Sequence, residues 1–134
     1  MAVMERILNF LKEAGVFYLA TDEGGQPRVR PMGFVMIYEG KLTFCTNNTK
    51  PMWKQMKANQ KIEVCAVSKD MKTLRIAGTV GFITSPASQK TALETEPMLG
   101  QMYSAGDGIF EIFNIKEGSA VFSDMTGNRE EVKL

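Results

Sequence analysis

Histidine is absent from this 134-residue sequence, and cysteine occurs only twice. Without histidine the chain can form neither a Ser-His-Asp nor a Cys-His catalytic arrangement, and it lacks a common zinc ligand. We expect no metal site, and we expect a bound cofactor to carry any chemistry. Cys45 and Cys65 lie in separate apolar runs with no CxxC spacing, so both are expected to be buried, reduced thiols.

A dominant charge and a long apolar run are missing as well. Sixteen Lys and Arg residues oppose fifteen Asp and Glu residues, and the resulting charge of +1 provides no broad field for nucleic acid or an anionic membrane. No apolar stretch approaches membrane-spanning length, and Glu5 stands where a signal peptide would carry basic residues. We therefore expect a cytoplasmic protein that binds neither nucleic acid nor membranes.

The chain has the size and composition of one globular domain, spanning residues 1–134. Its hydrophobic fraction of 44% is ordinary for a soluble protein. A domain of this length buries roughly two-thirds of its unfolded surface, so it needs no disulfide or structural metal for stability. No repeat or low-complexity tract divides it.

Apolar spacing in the first residues predicts an amphipathic helix over about residues 2–14, which ends before Gly15. Runs of β-branched and aromatic residues separated by turns then predict strands at residues 16–21, 28–38, 41–45, 61–68, 72–84, 109–115 and 119–124. Helical character is predicted at residues 51–58, with Thr49 as N-cap and Asn59 near the C-terminus, and again near residues 87–93 and 98–103. About seven short strands with small helices between them indicate a mainly β protein, an antiparallel barrel with helical insertions.

Two segments carry groups suited to a phosphate. Arg28 and Arg30 occupy alternate positions of a strand, so both guanidinium groups project from one face, where each can donate two parallel hydrogen bonds. Residues 46–50 bring hydroxyls, turn amides and the Lys50 ammonium to the start of a helix, whose dipole favours an anion. Each feature alone is more typical of a surface arginine pair or of an ordinary helix cap than of a ligand site. Together they predict an anion site built without a glycine-rich loop.

These segments also carry a family resemblance. Arg30-Pro31-Met32, the run from Leu42 to Lys50, and Leu74-Arg75-Ile76-Ala77-Gly78 resemble the FMN-binding pattern of the pyridoxamine 5′-phosphate oxidase-like family. The similarity extends over nearly the whole chain and is looser after Gly100. The family fold is an antiparallel split β-barrel, and the closer similarity is to its short bacterial general stress and flavin-reductase-like members.

The resemblance implies a set of cofactor-binding residues. Arg30 and Lys50 are expected to hold the FMN phosphate, and the segment that contains Thr46, Asn47 and Thr49 is expected to donate to it. The backbone of Pro31 and Met32 is expected to meet the polar edge of the flavin ring. Thr73 is expected to reach the flavin from the other subunit, because family members bind FMN between the two chains of a homodimer.

The resemblance also implies an FMN-dependent oxidoreductase that moves electrons to or from a small molecule, with NAD(P)H as one candidate reductant. The longer pyridoxamine phosphate oxidases end in a segment with Arg and His residues that grips the substrate, and this sequence has no histidine. The substrate therefore stays open, and no side chain is assigned as a catalytic acid or base. The alternatives are a flavin carrier or redox sensor, and a split barrel that holds a deazaflavin or haem.

Overall fold

The computed structural model describes residues 3–134 and contains three α-helices and eight strands. The helices are α1 (Val3–Ala14), α2 (Pro51–Ala58) and α3 (Pro86–Thr95), with a short 3₁₀ helix at Pro97–Gln101. The strands are β1 (Phe17–Glu23), β2 (Gln26–Met32), β3 (Met36–Tyr38), β4 (Lys41–Asn47), β5 (Lys61–Val67), β6 (Thr73–Phe82), β7 (Phe110–Ser123) and β8 (Arg129–Lys133).

All eight strands belong to one antiparallel sheet that curls on itself. Its order is β2-β1-β5-β6-β7-β4-β3, and β8 pairs with the other part of β7. Three strands separate β1 from β4 in this order, yet the rings of Phe17 and Phe44 are 5.7 Å apart. Phe44 also stacks on Phe113 of β7 at 5.4 Å. The two halves of the sheet therefore enclose one core, which confirms a mainly β architecture with short helices.

Each strand presents an inner face to this core and an outer face away from it. In β5, Ile62, Val64 and Ala66 are buried, while the alternate residues Glu63 and Cys65 are exposed. The period of two is the ordinary consequence of strand geometry. The expectation of two buried cysteines is therefore wrong for Cys65, because β5 turns this residue to the outer face.

Helices cover two of the apolar surfaces of the sheet. The amphipathic helix α1 buries Ile7 and Leu11 in the main core. A second cluster lies on the outer face of β4 and β7, where α3 and the 3₁₀ helix cover Phe110 and Ile112. Helix α2 packs near β1, next to the predicted anion site.

Three strand boundaries differ from those expected. The predicted strand at residues 28–38 is interrupted at residues 33–35, where Val35 turns into the core. The strands predicted at residues 109–115 and 119–124 are one strand, because β7 continues through Gly118 where it passes close to Gly78 of β6. Strand β8 was missed, since its sequence is mostly charged and lacks an apolar alternation.

Within residues 3–134 no helix is both long and apolar enough to cross a membrane. The same residues contain no group of three or more Cys, Asp or Glu side chains placed to hold a metal ion.

Candidate functional site

The site begins on the hairpin of β1 and β2. The strand register places Arg30 opposite Leu19 and Arg28 opposite Thr21. Leu19 and Thr21 are buried residues of the inner face of β1. Both arginines therefore lie on the inner face, as the alternation predicts. Because β2 is an edge strand, their guanidinium groups stand at the border of the core.

Arg30 is half-buried and makes hydrogen bonds only to neutral groups. Its Nη1 donates to the carbonyl of Leu19 (3.0 Å) and to Oγ1 of Thr21 (2.9 Å), and its Nη2 donates to Oε1 of Gln55 (2.8 Å). No carboxylate within residues 3–134 lies at ion-pair distance from it. Burial lowers the pKa of Arg30, although a guanidinium remains charged. The result is a partly desolvated cation without a counter-charge.

Arg28 differs from Arg30 in this respect. Its Nε donates to Oε1 of Glu23 at 2.9 Å, and both side chains are about half exposed. This hydrogen bond holds the pKa of Glu23 below its usual range. Since Arg28 already has a carboxylate partner in solvent, Arg30 is the one of these two arginines that offers an unpaired charge.

Helix α2 packs beside this hairpin, where its Gln55 accepts from Arg30. Its N-cap is Lys50 in extended conformation, with Pro51 as first helical residue, so the expectation that Thr49 caps the helix is wrong. The Thr49 hydroxyl donates instead to Oδ1 of Asn47. No side chain caps the first turn. Pro51 has no N–H and the Trp53 amide donates to the Lys50 carbonyl at 3.1 Å, so the helix dipole is the feature that favours an anion there. Asn59, predicted to lie near the C-terminus of the helix, is its C-cap.

The Lys50 side chain is exposed and forms no ion pair within the described residues. Its charge is near the Cys45 thiol of β4. Burial raises the pKa of Cys45 to about 12, and Lys50 acts in the opposite direction. Cys45 is therefore held as the protonated thiol at neutral pH, the less nucleophilic form.

One helix connects the two cations. Gln55, which accepts from Arg30, follows Lys50 by five residues, or about 7.5 Å along the axis of α2. Thr46 lies at the end of β4, buried, just before the loop that leads to Lys50. The structure therefore places Arg30 beside α2, between one and two helical turns from the Lys50 end.

The Asn47 side chain is engaged within the protein. Its Nδ2 donates to Oη of Tyr103 at 3.0 Å, and its Oδ1 accepts the backbone N–H of Thr49 at 3.0 Å as well as the Thr49 hydroxyl. The amide of Lys50 donates to the Asn47 carbonyl at 3.3 Å. These bonds make residues 47–50 a closed turn, which we call the 47–50 loop.

The remaining predicted residues lie farther apart. Pro31 is exposed opposite Tyr18, and the half-buried Met32 pairs with Phe17 at the end of β2. Thr73 is on β6, three strands from β2, and its hydroxyl is 2.6 Å from that of Ser123. A single chain therefore does not bring Thr73 to Arg30.

Sequence reasoning missed Gln55 and Tyr103, which hold the site together. Gln55 had a signal, because it shares the buried face of α2 with Met52 and Met56, where a polar residue is unexpected. Its Nε2 also donates to Glu23 at 3.3 Å. Tyr103 had no local signal, since its partner Asn47 is 56 residues away.

Comparison with known proteins identifies the family. Residues 3–122 match the family model described as pyridoxamine 5′-phosphate oxidase. The chain belongs to this family. A NimC/NimA family protein from Clostridium acetobutylicum has 45% identity and a TM-score of 0.94, over 98% of this chain and 92% of that protein. The family predicted from the sequence is thus confirmed.

Structures of the same fold at lower sequence identity include an FMN-binding and a haem-binding protein. A pyridoxamine 5′-phosphate oxidase-related, FMN-binding protein from Nostoc punctiforme is 14% identical, with a TM-score of 0.62 over 100% of this chain and 97% of that one. A haem-binding protein from Mycobacterium smegmatis is also 14% identical, with a TM-score of 0.71 over 92% of this chain and 57% of that one. At these identities the likeness shows the fold alone, and the split-barrel prediction is confirmed. A search of curated proteins gave no match.

Proposed function

We propose that this family member is an FMN-dependent oxidoreductase that works as a homodimer. The observation that carries the proposal is the half-buried Arg30, which has neutral hydrogen-bond partners and no carboxylate, beside a helix whose N-terminus lacks a side-chain cap. A dianionic phosphate would supply the missing counter-charge. The name of the Nostoc protein, which binds FMN, agrees with this cofactor.

The donor set suits a phosphate monoester. Arg30 provides a planar guanidinium fork, and Lys50 provides an ammonium at the positive end of the α2 dipole. Both kinds of donor favour phosphate. Thr46, Asn47 and Thr49 would shape the same site, with Pro31 and Met32 beside the ring edge. FMN, when bound, supplies hydride and single-electron chemistry. The residues of this chain bind and orient it.

The homodimer is proposed from the outer face of the sheet. Tyr18, Val29 and Val67 are 47%, 68% and 46% exposed there, although they are large apolar residues. Tyr18 pairs in register with Cys65, and Cys65 with Arg75, so this face runs continuously across β1, β5 and β6. A second copy would cover it, and would bring its own Thr73 toward the flavin. A cytoplasmic location remains a prediction from the sequence.

The first test measures FMN affinity against riboflavin affinity. Riboflavin lacks the phosphate, so the parent is expected to bind FMN more tightly, and purified protein is expected to show flavin absorbance. Lys50→Ala should reduce the free energy of FMN binding by roughly 1.5 to 3 kcal/mol, the contribution of a charged hydrogen bond. Its affinity for riboflavin should be unchanged. Equal affinity of parent and Lys50→Ala for FMN would refute the phosphate site.

Lys54→Ala is the matched control, because Lys54 is an exposed lysine of the same helix one turn further on. It should bind FMN as the parent does. Arg30→Ala should also lose FMN affinity, but it removes hydrogen bonds to Leu19, Thr21 and Gln55 as well. Its unfolding temperature must therefore be measured beside its affinity.

Reduction of the bound flavin under anaerobic conditions distinguishes an oxidoreductase from a non-catalytic flavin carrier. Bleaching of the bound flavin by NADH or NADPH supports the oxidoreductase, whereas reduction by dithionite alone supports a carrier or redox sensor. The absorbance spectrum distinguishes flavin from deazaflavin and from haem. The sequence contains no histidine to ligate a haem iron.

A further inference from the structure

The 47–50 loop is fixed by a distant part of the chain. Oδ1 of Asn47 accepts hydrogen bonds from the backbone N–H and the hydroxyl of Thr49, and Nδ2 of Asn47 donates to the Tyr103 hydroxyl. If the Asn47 carboxamide rotates, Thr49 loses its acceptor. The bond to Tyr103 holds the other end of the carboxamide and so restricts its rotation.

Tyr103 is itself held rigidly. Its side chain is buried, and its ring stacks on Phe110 at 4.6 Å with an interplanar angle of 11°. Its amide donates to the carbonyl of Leu99 in the 3₁₀ helix at 2.9 Å. Asn47 is only half-buried, whereas Tyr103 is buried. The Tyr103 hydroxyl therefore restricts the position of the Asn47 side chain.

The next residue of the loop is tied to the same segment. The Asn48 amide donates to the Ile109 carbonyl at 2.9 Å, and its Nδ2 donates to Oε2 of Glu111 at 2.7 Å. Glu111 also accepts from the Thr84 hydroxyl at 2.7 Å. Residues 103–111 therefore hold the 47–50 loop in place through hydrogen bonds to Asn47 and Asn48.

We infer that Tyr103 is a positioning residue for the anion site: through Asn47 it holds Thr49 and Lys50 in the arrangement that receives a phosphate monoester. The inference rests on the proposed function. Tyr103 does not contact the ligand in this scheme. It contributes to affinity by fixing the loop before the ligand arrives.

Tyr103→Phe removes the hydroxyl and keeps the ring that stacks on Phe110. This variant should bind FMN with roughly three- to tenfold lower affinity, the effect of one neutral hydrogen bond. Its affinity for riboflavin should change by less than about twofold. A merely structural role would weaken both ligands alike. Tyr38→Phe is the control, because the Tyr38 hydroxyl makes no hydrogen bond within the described residues.

A double-mutant cycle tests the route. Tyr103→Phe should have no further effect on FMN affinity in an Asn47→Ala background. Additive effects, or tighter FMN binding by Tyr103→Phe, would overturn the inference. Unchanged FMN affinity in Tyr103→Phe while Lys50→Ala is impaired would also overturn it and leave the proposed function standing.

Hydrogen exchange in the ligand-free protein gives a second readout. The Thr49 amide should exchange faster in Tyr103→Phe and in Asn47→Ala than in the parent, with the β5 and β6 amides unchanged. This result is expected even if the parent fails to bind FMN. Failure to bind FMN would contradict the proposed function but not the positioning of the loop by Tyr103. Equal exchange at Thr49 in all three proteins would overturn the positioning role.

Discussion

At the scale of single residues, the site is decided by which charges have partners. Arg28 and Arg30 are chemically identical and two positions apart, but only Arg28 has a carboxylate, Glu23. The difference arises because Arg30 points beneath α2, where Gln55 and Thr21 occupy the space an acid would need. A neutral surrounding leaves the charge of Arg30 to be balanced from outside the chain.

The two thiols should differ sharply in reactivity. In a Cys65→Ser variant, the remaining Cys45 should react with a disulfide reagent at pH 8 about a thousandfold more slowly than a free thiol, because its pKa near 12 suppresses the thiolate. Full reactivity should return in denaturant. Rapid reaction of the folded variant at pH 8 would contradict the burial of Cys45.

At the scale of elements, close strand approach and turn hydrogen bonds determine the shape of the sheet. Gly78 and Gly118 face each other across β6 and β7, next to the register shift between Thr79 and Val80. Helix α1 is fastened to β8 by a pair of hydrogen bonds from Arg6 to Glu130, at 2.9 and 3.0 Å. These contacts join parts of the chain that are distant in sequence.

Gly118→Ala should destabilise the protein. A Cβ at this position would lie 2.4 Å from the carbonyl oxygen of Ala77, and backbone cannot move aside cheaply. We expect a loss of about 1 to 3 kcal/mol, measured by thermal or urea unfolding. Gly100→Ala is the control, since nothing lies within 4 Å of a Cβ there. Equal stability of the two variants would contradict this strand approach.

The turn between β7 and β8 should weaken in acid. Hydrogen bonds from Asn128 and Thr126 lower the pKa of Asp124 to about 2. Because the folded pKa lies below the unfolded one, the stabilisation is complete above about pH 4 and is lost as the pH falls toward 2. Asp124→Asn should therefore lower the unfolding temperature at pH 7 but progressively less below pH 4.

Glu94→Gln, at an exposed acid of α3, serves as the comparison for that experiment. Its unfolding temperature should follow that of the parent at every pH. An Asp124→Asn difference that stayed constant between pH 7 and pH 3 would show that the carboxylate charge plays no part in the turn.

At the scale of the whole molecule, the curled sheet leaves one side of itself without a helix. Helix α1 covers part of the core, and α3 with the 3₁₀ helix covers the outer face of β4 and β7. The outer face of β1, β2 and β5 keeps Tyr18, Val29 and Val67 in solvent. Large apolar side chains left exposed on a sheet face, here beside the charged Glu63 and Arg75, are typical of a contact between subunits.

Tyr18→Asp should convert the proposed dimer to a monomer of 14.9 kDa, measured by sedimentation velocity. The charge would be desolvated at the interface, while the inner face of β1 is untouched. Met125→Asp, in the exposed turn before β8, should leave the dimer intact. A parent that sediments as a monomer at all concentrations would contradict the assembly.

The sequence determined the period of the elements and the family. The alternation along β5, the amphipathic helix α1 and the bounds of α2 follow from local patterns, since each depends on neighbouring residues alone. The motifs around Arg30 and Lys50 were sufficient for the family, which the comparisons confirmed. Their role in binding FMN stays a prediction.

Only the tertiary structure decided which polar groups have partners. It placed Gln55 against Arg30, Tyr103 against Asn47, and Lys50 rather than Thr49 at the cap of α2. It also joined the predicted last strands into β7 and turned Cys65 outward. Hydrogen bonds between residues 25 or 56 positions apart depend on how the sheet curls, and no local pattern along the chain encodes that curvature.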